Sequence, residues 1–504
     1  MRPGSITILG GGTAGWMAAS LFQHHWPDTA ITLIESSEIG IIGVGEGSTP
    51  QLKHFFDTIG ITEAEWMPRC NATYKAGIEF VGWSERPGHE RYFHPFPTAI
   101  DGHTAPQFFY NTRARRTGRD VSAHPDRFFL TTALASRRKA PIAPPNFPFL
   151  TGYGYHFDAV QLGRYLREVA TARGVVHLDM KIVEVALLPD GNIGEVLAED
   201  GRRIGGELFV DASGFRALII EGALAEPHLS FAENLFNDRA VVTPSPVAEG
   251  GPTVATRATA LSSGWAWDIP LTNRTGNGYV YSSRYLDPEA AAAELLDHLG
   301  LPADTEVRHL QMKVGRIERS WVRNCLAIGL AQGFIEPLEA TALHIVLATV
   351  EGFIDTVDDE GEAGRAGFND RTARRYEGIR DYIVAHYRLQ LRRDTPYWRD
   401  AAAMECLSDS LKDMITAWFK GADLEEEIAQ QDIAAFYPAL SWHCLLAGYG
   451  NFPDPTKLVP PGADVDQFDM PAIDAFIAGC ASNYPDHREA LAWLVARDEP
   501  NQAK

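Results

Sequence analysis

Ser5-Ile6-Thr7-Ile8-Leu9-Gly10-Gly11-Gly12-Thr13-Ala14-Gly15 decides the fold of this chain. Residues 5–9 are β-branched and apolar, and they read as a buried strand running straight into the glycines. Trp16 to Gln23 then reads as a helix rich in Ala and Leu. Gly10 and Gly12 permit a tight turn and let the backbone approach a pyrophosphate, while Gly15 lets helix and strand pack closely. The helix N-terminus supplies unpaired N–H groups and a partial positive charge for the phosphates. A second strand, Ala30 to Ile34, ends at Glu35. An acid about twenty residues after the last glycine is placed to accept hydrogen bonds from an adenosine ribose. The alternative is a glycine-rich turn without a ligand, and strand, helix and acid in their places argue against it.

Composition bounds what the domain can do. The chain has 504 residues, enough for two or three domains or one large composite, and 45% hydrophobic content. Its net charge of −21 makes nucleic acid or an anionic membrane an improbable partner. The acidic runs at Asp358, Asp359, Glu360 and Glu362, and at Glu425-Glu426-Glu427, read as solvated faces. Cys70, Cys325, Cys406, Cys444 and Cys480 are scattered, with no C-x-x-C, so free thiols in a reducing cytoplasm are expected. The first apolar stretch is the strand that feeds the glycine turn, so no signal peptide is expected. No run of eighteen apolar residues occurs, so no membrane span is expected. There is no metal motif H-E-x-x-H, no G-x-S-x-G and no P-loop.

The order of elements is mixed α/β. Gly43-Val44-Gly45-Glu46-Gly47-Ser48-Thr49-Pro50 is a second glycine-rich loop, suited either to close approach of a flat ligand or to plain flexibility. Residues 137–148, with Pro141, Pro144, Pro145 and Pro148, read as a surface connection. Residues 162–167 read as helix, and 175–185 and 193–197 alternate like strands. Leu208-Phe209-Val210-Asp211-Ala212-Ser213-Gly214 is a buried strand ending in Asp and small residues. A nucleotide fold to which such a strand returns resembles FAD-binding oxidoreductases of the hydroxylase type, in which it rejoins the first sheet. That resemblance implies an α/β, FAD-binding doubly wound fold with a sheet-containing substrate region. From residue 375 the pattern turns helical, at 375–389, 407–419, 424–430, 473–478 and 487–496. The expected division is 1–374 as a discontinuous core and 375–504 as a helical subdomain completing the substrate pocket.

Further segments carry a closer likeness. Gly10-x-Gly12-x-x-Gly15-Trp16, Gly43-Val44-Gly45-Glu46 and Cys70-Asn71-Ala72-Thr73-Tyr74-Lys75 recur in order with His94-Pro95-Phe96 and Tyr155-His156-Phe157-Asp158. Asp211 to Arg216, Trp265-Ala266-Trp267-Asp268-Ile269-Pro270 and Gly333 to Glu339 complete the set. Over nearly its whole length the chain resembles the flavin-dependent halogenases of the tryptophan-halogenase family, with W-x-W-x-I-P the most specific match.

The resemblance implies that reduced FAD from a separate NADH-dependent flavin reductase, with dioxygen, oxidises chloride or bromide to hypohalous acid. That acid then travels to a lysine beside an electron-rich aromatic substrate. The matching lysine is Lys75, whose ammonium can hydrogen-bond hypohalous acid or, if neutral, form a haloamine, and burial would lower its pKa toward the haloamine route; the plain alternative is a solvated surface lysine. Glu339 matches the catalytic glutamate, or else is an acid at a helix N-terminus. Thr341 and Ala342 match the halide-binding backbone. For the cofactor, Gly10, Gly11, Gly12, Thr13, Ala14 and Gly15 match the phosphate turn. Glu35, Ser36 and Ile39 match the adenosine edge, and Gly47 and Leu330 the neighbourhood of the flavin ring. Glu46 either supports its loop or is a paired surface acid. Trp265 and Trp267 match the wall of the path between flavin and substrate; on a strand they share one face, which also suits sheet core. His94 and Phe96 match residues that flank an indole ring, and Trp442 is a candidate pocket wall.

The chain departs from the pattern in two places. Ala340 stands where a serine is usual and Ala342 where glycine or another small residue is usual. Around Phe436 to Trp442 no clamp for an amino acid's charged groups is recognisable, so free tryptophan and a more open choice such as indole both stand. A flavin-dependent aromatic monooxygenase that hydroxylates directly is the alternative activity, and a non-catalytic FAD-binding scaffold the third reading. A homodimer is left open.

Overall fold

The computed structural model describes residues 2–38, 45–358, 361–462 and 468–502. Contacts divide the chain into two units, each assembled from three stretches. One comprises Met1–Ala72, Phe157–Ala232 and Met312–Glu377, the other Thr73–His156, Glu233–Gln311 and Gly378–Lys504. Most of the 375–504 block thus belongs to the second unit, with 73–156 and 233–311 as its companions.

The first unit is built on a six-stranded sheet. Its order is Trp321–Val322, Cys325–Ala327, Leu208–Asp211, Ser5–Leu9, Ala30–Glu35, Val176–Asp179. Only the edge pair Trp321–Val322 with Cys325–Ala327 is antiparallel. Parallel strands are covered on both faces, which is why Ser5–Leu9 and Leu208–Asp211 are near-continuous apolar runs. Ile8 pairs with Val210 on one side and Leu33 on the other, so the returning strand rejoins the first sheet as expected. The crossover helix Thr13–His25 buries Trp16, Met17, Ala18, Ala19, Leu21 and Phe22 and packs on Ala159–Ala172 and Ala342–Thr356. A small antiparallel meander, Ile182–Leu187, Ile193–Ala198 and Arg203–Gly205, completes the nucleotide part.

The second unit holds a seven-stranded sheet. Its order is Arg308–Gln311, Arg239–Ser245, Thr275–Tyr281, Gly264–Pro270, Ala255–Leu261, Gly77–Val81, Arg91–Pro95. The short strand Thr73–Lys75 pairs antiparallel with the strand that starts at Gly154, placing Thr73 opposite His156 and Lys75 opposite Gly154. The helices anticipated near 407–419, 424–430, 473–478 and 487–496 are Asp409–Lys420, Leu424–Gln431, Met470–Ser482 and His487–Gln502. The helix anticipated from 375 begins earlier, as Glu362–Leu389. After residue 375, Pro396–Ala403 and Ala439–Gly448 have no counterpart in the sequence reading, and neither do the earlier helices Ala105–Arg116, Leu130–Ser136 and Pro288–Leu299 of this unit. Ala439–Gly448 buries every residue from Trp442 to Gly448, so it lacks the polar face that would give it a readable period.

Among the described residues no helix is long and apolar enough to cross a membrane, and no group of three His, Cys, Asp or Glu is placed to hold a metal ion.

Candidate active site

The first unit carries a nucleotide cradle at the C-terminal ends of three parallel strands. Gly10, with φ of 119°, follows Ser5–Leu9; a Cβ there would lie 2.1 Å from the Ala212 carbonyl oxygen, which no side chain tolerates. At Gly15 a Cβ would lie 2.0 Å from the Gly10 carbonyl oxygen, so helix and turn touch directly. A Cβ on Gly12, the residue capping Thr13–His25, would meet nothing within 4 Å. The turn is therefore sealed on its protein side and open on the side the helix N–H groups face, which fits a pyrophosphate. Glu35 ends its strand beside Gly11, where a Cβ would come 1.8 Å from the carboxylate. Its Oε1 lies 2.8 Å from His177 Nε2 and 3.5 Å from Arg167 Nη1. Gly329 packs against Ala14 and leads into half-buried Leu330. The residues present thus fit a dinucleotide such as FAD. Ser36 follows Glu35 directly and Gly47 lies in the short strand Gly45–Gly47, whereas Ile39, Gly43 and Val44 lie outside the described residues.

Asp211 braces this cradle, a role the sequence reading did not give it. Its carboxylate accepts from the backbone N–H of Ser213 at 3.0 Å and from those of Ile219 and Ile220 at 2.8 Å, and from the Ser213 hydroxyl at 2.6 Å. A buried carboxylate with that many donors pins the turn after the returning strand.

Glu46 is half-buried, and burial followed by the charge of Asp158 pushes its carboxyl up from 4.5 to about 7. Between those values the folded chain holds a proton that the unfolded chain releases, so folding stability falls as pH rises through that window. Glu46→Gln is expected to raise the Tm of the FAD-free protein by a few degrees above pH 7. The gain should fade as pH drops toward 4.5, which thermal melts across the range would check.

Glu339 is buried, 6% exposed, in the turn Pro337–Glu339 that precedes the helix Ala342–Thr356. It therefore stands outside the first helical turn. Ala340 links turn and helix with φ of 55°, a left-handed conformation that is strained for a residue with a Cβ. Thr341 caps the helix and Ala342 is its first residue, so the Ala342 N–H has no partner one turn back in the helix.

The second unit carries the lysine. Lys75 is 0% exposed, and its Nζ stands 5.5 Å from the centre of the Phe96 ring. The register that pairs Gly77 with Pro95 brings them together, and the Phe96 N–H donates to the Ala76 carbonyl at 3.0 Å. Gly77 has no room for a Cβ, which would sit 2.2 Å from the His94 carbonyl oxygen. His94 is buried and packs edge-on to Tyr382 at 6.3 Å. Tyr382 packs edge-on to Trp442 at 5.0 Å and stacks on Tyr437 at 3.6 Å. Trp265 and Trp267, 1% and 5% exposed, lie 6.0 Å apart on Gly264–Pro270, so they are sheet core as well as candidate wall.

Lys75, His94, Phe96, Trp442, Trp265 and Trp267 thus belong to the second unit, and the nucleotide turn, Glu35, Leu330, Glu339, Thr341 and Ala342 to the first. Tyr382 and Tyr437 were missed as pocket candidates. Tyr382 lies on the buried helix face with Ile379, Ile383 and His386, and that spacing signals core without distinguishing a site.

The model of the tryptophan halogenase family matches residues 5–461. The chain is 35% identical to the tryptophan 6-halogenase SttH of Streptomyces toxytricini, covering 93% of this chain and 94% of that protein. It is 34% identical to the tryptophan 7-halogenase RebH of Lentzea aerocolonigenes, with 89% and 90% covered. Among solved structures, BrvH, a flavin-dependent halogenase from Brevundimonas sp. BAL3, is 33% identical with a TM-score of 0.83, covering 98% and 99% of the two chains.

Proposed function

The chain belongs to the tryptophan halogenase family, and on that premise we propose that it halogenates an electron-rich, indole-like arene with hypohalous acid relayed by Lys75. It is a flavin-dependent halogenase, an oxidoreductase that uses reduced FAD, dioxygen and halide. The observation that carries the residue-level reading is the complete burial of Lys75 against an aromatic ring. Full burial is rare for a lysine, and it separates Lys75 from an ordinary solvated surface lysine.

Each residue then has work to do. The Gly10–Gly15 turn and Glu35 hold the cofactor, with Ser36, Gly47 and Leu330 at its edges. Reduced FAD, when bound, would supply two electrons to dioxygen and halide the other two, giving oxidised FAD, hypohalous acid and water. The N–H groups of Thr341 and Ala342 hold the halide at the helix N-terminus. Trp265 and Trp267 wall the arene away from the cofactor while the small acid passes. The Lys75 ammonium hydrogen-bonds the oxygen of hypohalous acid and polarises the O–X bond. As the ring attacks, a C–X bond forms and O–X breaks, and the ring proton leaves to Glu339. The balance is arene plus hypohalous acid giving haloarene plus water. His94, Phe96 and Trp442, with Tyr382, hold the ring by stacking, a geometry worth about 0.5–1.5 kcal/mol per pair beyond burial. Weak, stacking-based binding supports acceptance of several indoles. A separate NADH-dependent reductase supplies the reduced flavin, and we place both proteins in the cytoplasm.

The test incubates the chain with FAD, bromide, an indole or free tryptophan, and NADH with or without a flavin reductase. A bromine isotope pair in the product is expected only with the reductase, and indole is expected to react at least as well as tryptophan. Rapid NADH oxidation by the chain alone, or a hydroxylated product independent of bromide, would overturn the reading. Tight single-position halogenation of tryptophan with indole ignored would overturn the open-pocket part of it.

A further inference from the structure

The strand that carries Lys75 is gripped by two buried histidines, and their proton positions follow from their partners. The Thr73 hydroxyl lies 2.7 Å from the Pro270 carbonyl, which accepts only, so Thr73 donates there. The same oxygen lies 3.0 Å from His156 Nδ1. Its one proton is spent, so Nδ1–H is the donor, and Nε2 accepts from the Thr256 hydroxyl at 3.0 Å. The ring is fixed as a neutral Nδ1–H tautomer, and burial together with the Lys75 charge and His487 keeps it neutral. His487 repeats the logic. Its Nδ1 faces the Pro252 carbonyl at 3.1 Å and must donate, so its Nε2 accepts the Tyr74 N–H at 3.3 Å. Thr73 and Lys75 point to the same face of their strand, and His156 stands opposite Thr73 on that face.

We propose that His156 and Thr73 form a positioning bridge for Lys75, tying its strand to Pro270 at the end of the tryptophan-bearing strand. His487 secures the same strand through the backbone of Tyr74. This rests on the reading of Lys75 as the halogen relay. The bridge fixes where the ammonium stands, and a misplacement of about 1 Å in such a site can cost about 10²-fold. None of its residues is among those assigned to cofactor or halide, which belong to the first unit, so its loss uncouples halide oxidation from arene halogenation.

The experiment measures, for folded and FAD-loaded enzyme, the ratio of halogenated arene to hypohalous acid escaping into a 1,3-diketone trap. Misfolding lowers both quantities and leaves the ratio unmoved. Thr73→Val and His156→Leu are expected to lower the ratio by about 10-fold or more, the range set by one lost buried hydrogen bond and the displacement it permits. Thr73→Ser keeps the hydroxyl, and His156→Asn keeps an N–H donor where Nδ1–H was; both should stay within about 3-fold of the parent. An unchanged ratio in Thr73→Val or His156→Leu overturns the proposal, as does equal loss in the Ser and Asn variants. Lys75→Ala in the same series separates the two readings. If it keeps its product, the relay assignment fails; if it loses product while Thr73→Val does not, only the bridge fails.

Discussion

Lys75→Ala is expected to lower arene halogenation by at least about 10²-fold, to the level that free hypohalous acid gives, while FAD binding and halide oxidation continue. Lys75 lies in the second unit, on a strand whose neighbours are Thr73, His156 and Phe96, and every residue of the nucleotide turn lies in the first. Truncation removes a charged head that packs over the Phe96 ring, so it also leaves a cavity in a fully buried place. Large-to-small changes of this kind destabilise by about 2–5 kcal/mol, so the comparison must be made at equal folded fraction. Lys75→Met keeps the chain's length and apolar stem without the ammonium. It should be as inactive as Lys75→Ala while folding better, and a Met variant with normal product would show that packing, not the ammonium, is what matters. The measurement is product by mass spectrometry against trapped hypohalous acid. Halogenated product well above the free-acid background in both variants would remove Lys75 from the mechanism.

How much of this was legible in sequence depends on how local each signal is. Ser5–Leu9, the glycine turn and Glu35 are local: period, composition and spacing within thirty-odd residues specify the first β-α-β unit, and the structure has it. The returning strand Leu208–Asp211 announces itself by its apolar run, and its parallel pairing with Ser5–Leu9 followed from the fold it resembles. The helix Ala439–Gly448 did not announce itself, because a helix buried on all sides has no alternation between faces. The burial of Lys75 was not legible either. A three-residue strand gives no usable period, and the groups that grip that strand come from far along the chain: His156 and Pro270 at Thr73, and His487, four hundred residues on, at Tyr74. Contacts of that separation are set by tertiary packing, which leaves no mark on local composition. The same holds for Glu46, whose carboxyl is raised by burial and then by the charge of Asp158, and for Tyr382, whose place beside His94 and Trp442 depends on three separate elements.

Glu339→Gln should lower the halogenation rate by about 10²-fold or more while leaving FAD affinity and halide oxidation close to those of the parent. Glutamine keeps size and hydrogen-bonding capacity, so the substitution isolates the charge and the proton acceptor. Glu339 is 6% exposed in the turn before Ala342–Thr356, adjoined by Ala340 in a left-handed conformation. An ordinary helix-end acid sits exposed in the first turn, where its charge is worth about 0.3–1 kcal/mol, whereas Glu339 is buried ahead of that turn. The two roles predict opposite outcomes for one substitution. A proton acceptor that also stabilises the cationic ring intermediate loses both effects in Gln, and the loss appears in kcat with little change in KM, because it is confined to the transition state. A deuterated ring carbon at the reacting position adds a second readout: if Glu339 takes that proton, the variant's slower deprotonation should reveal a hydrogen isotope effect absent in the parent. A helix-end acid in Gln form lowers Tm slightly and leaves kcat alone, and that result would take Glu339 out of the chemistry.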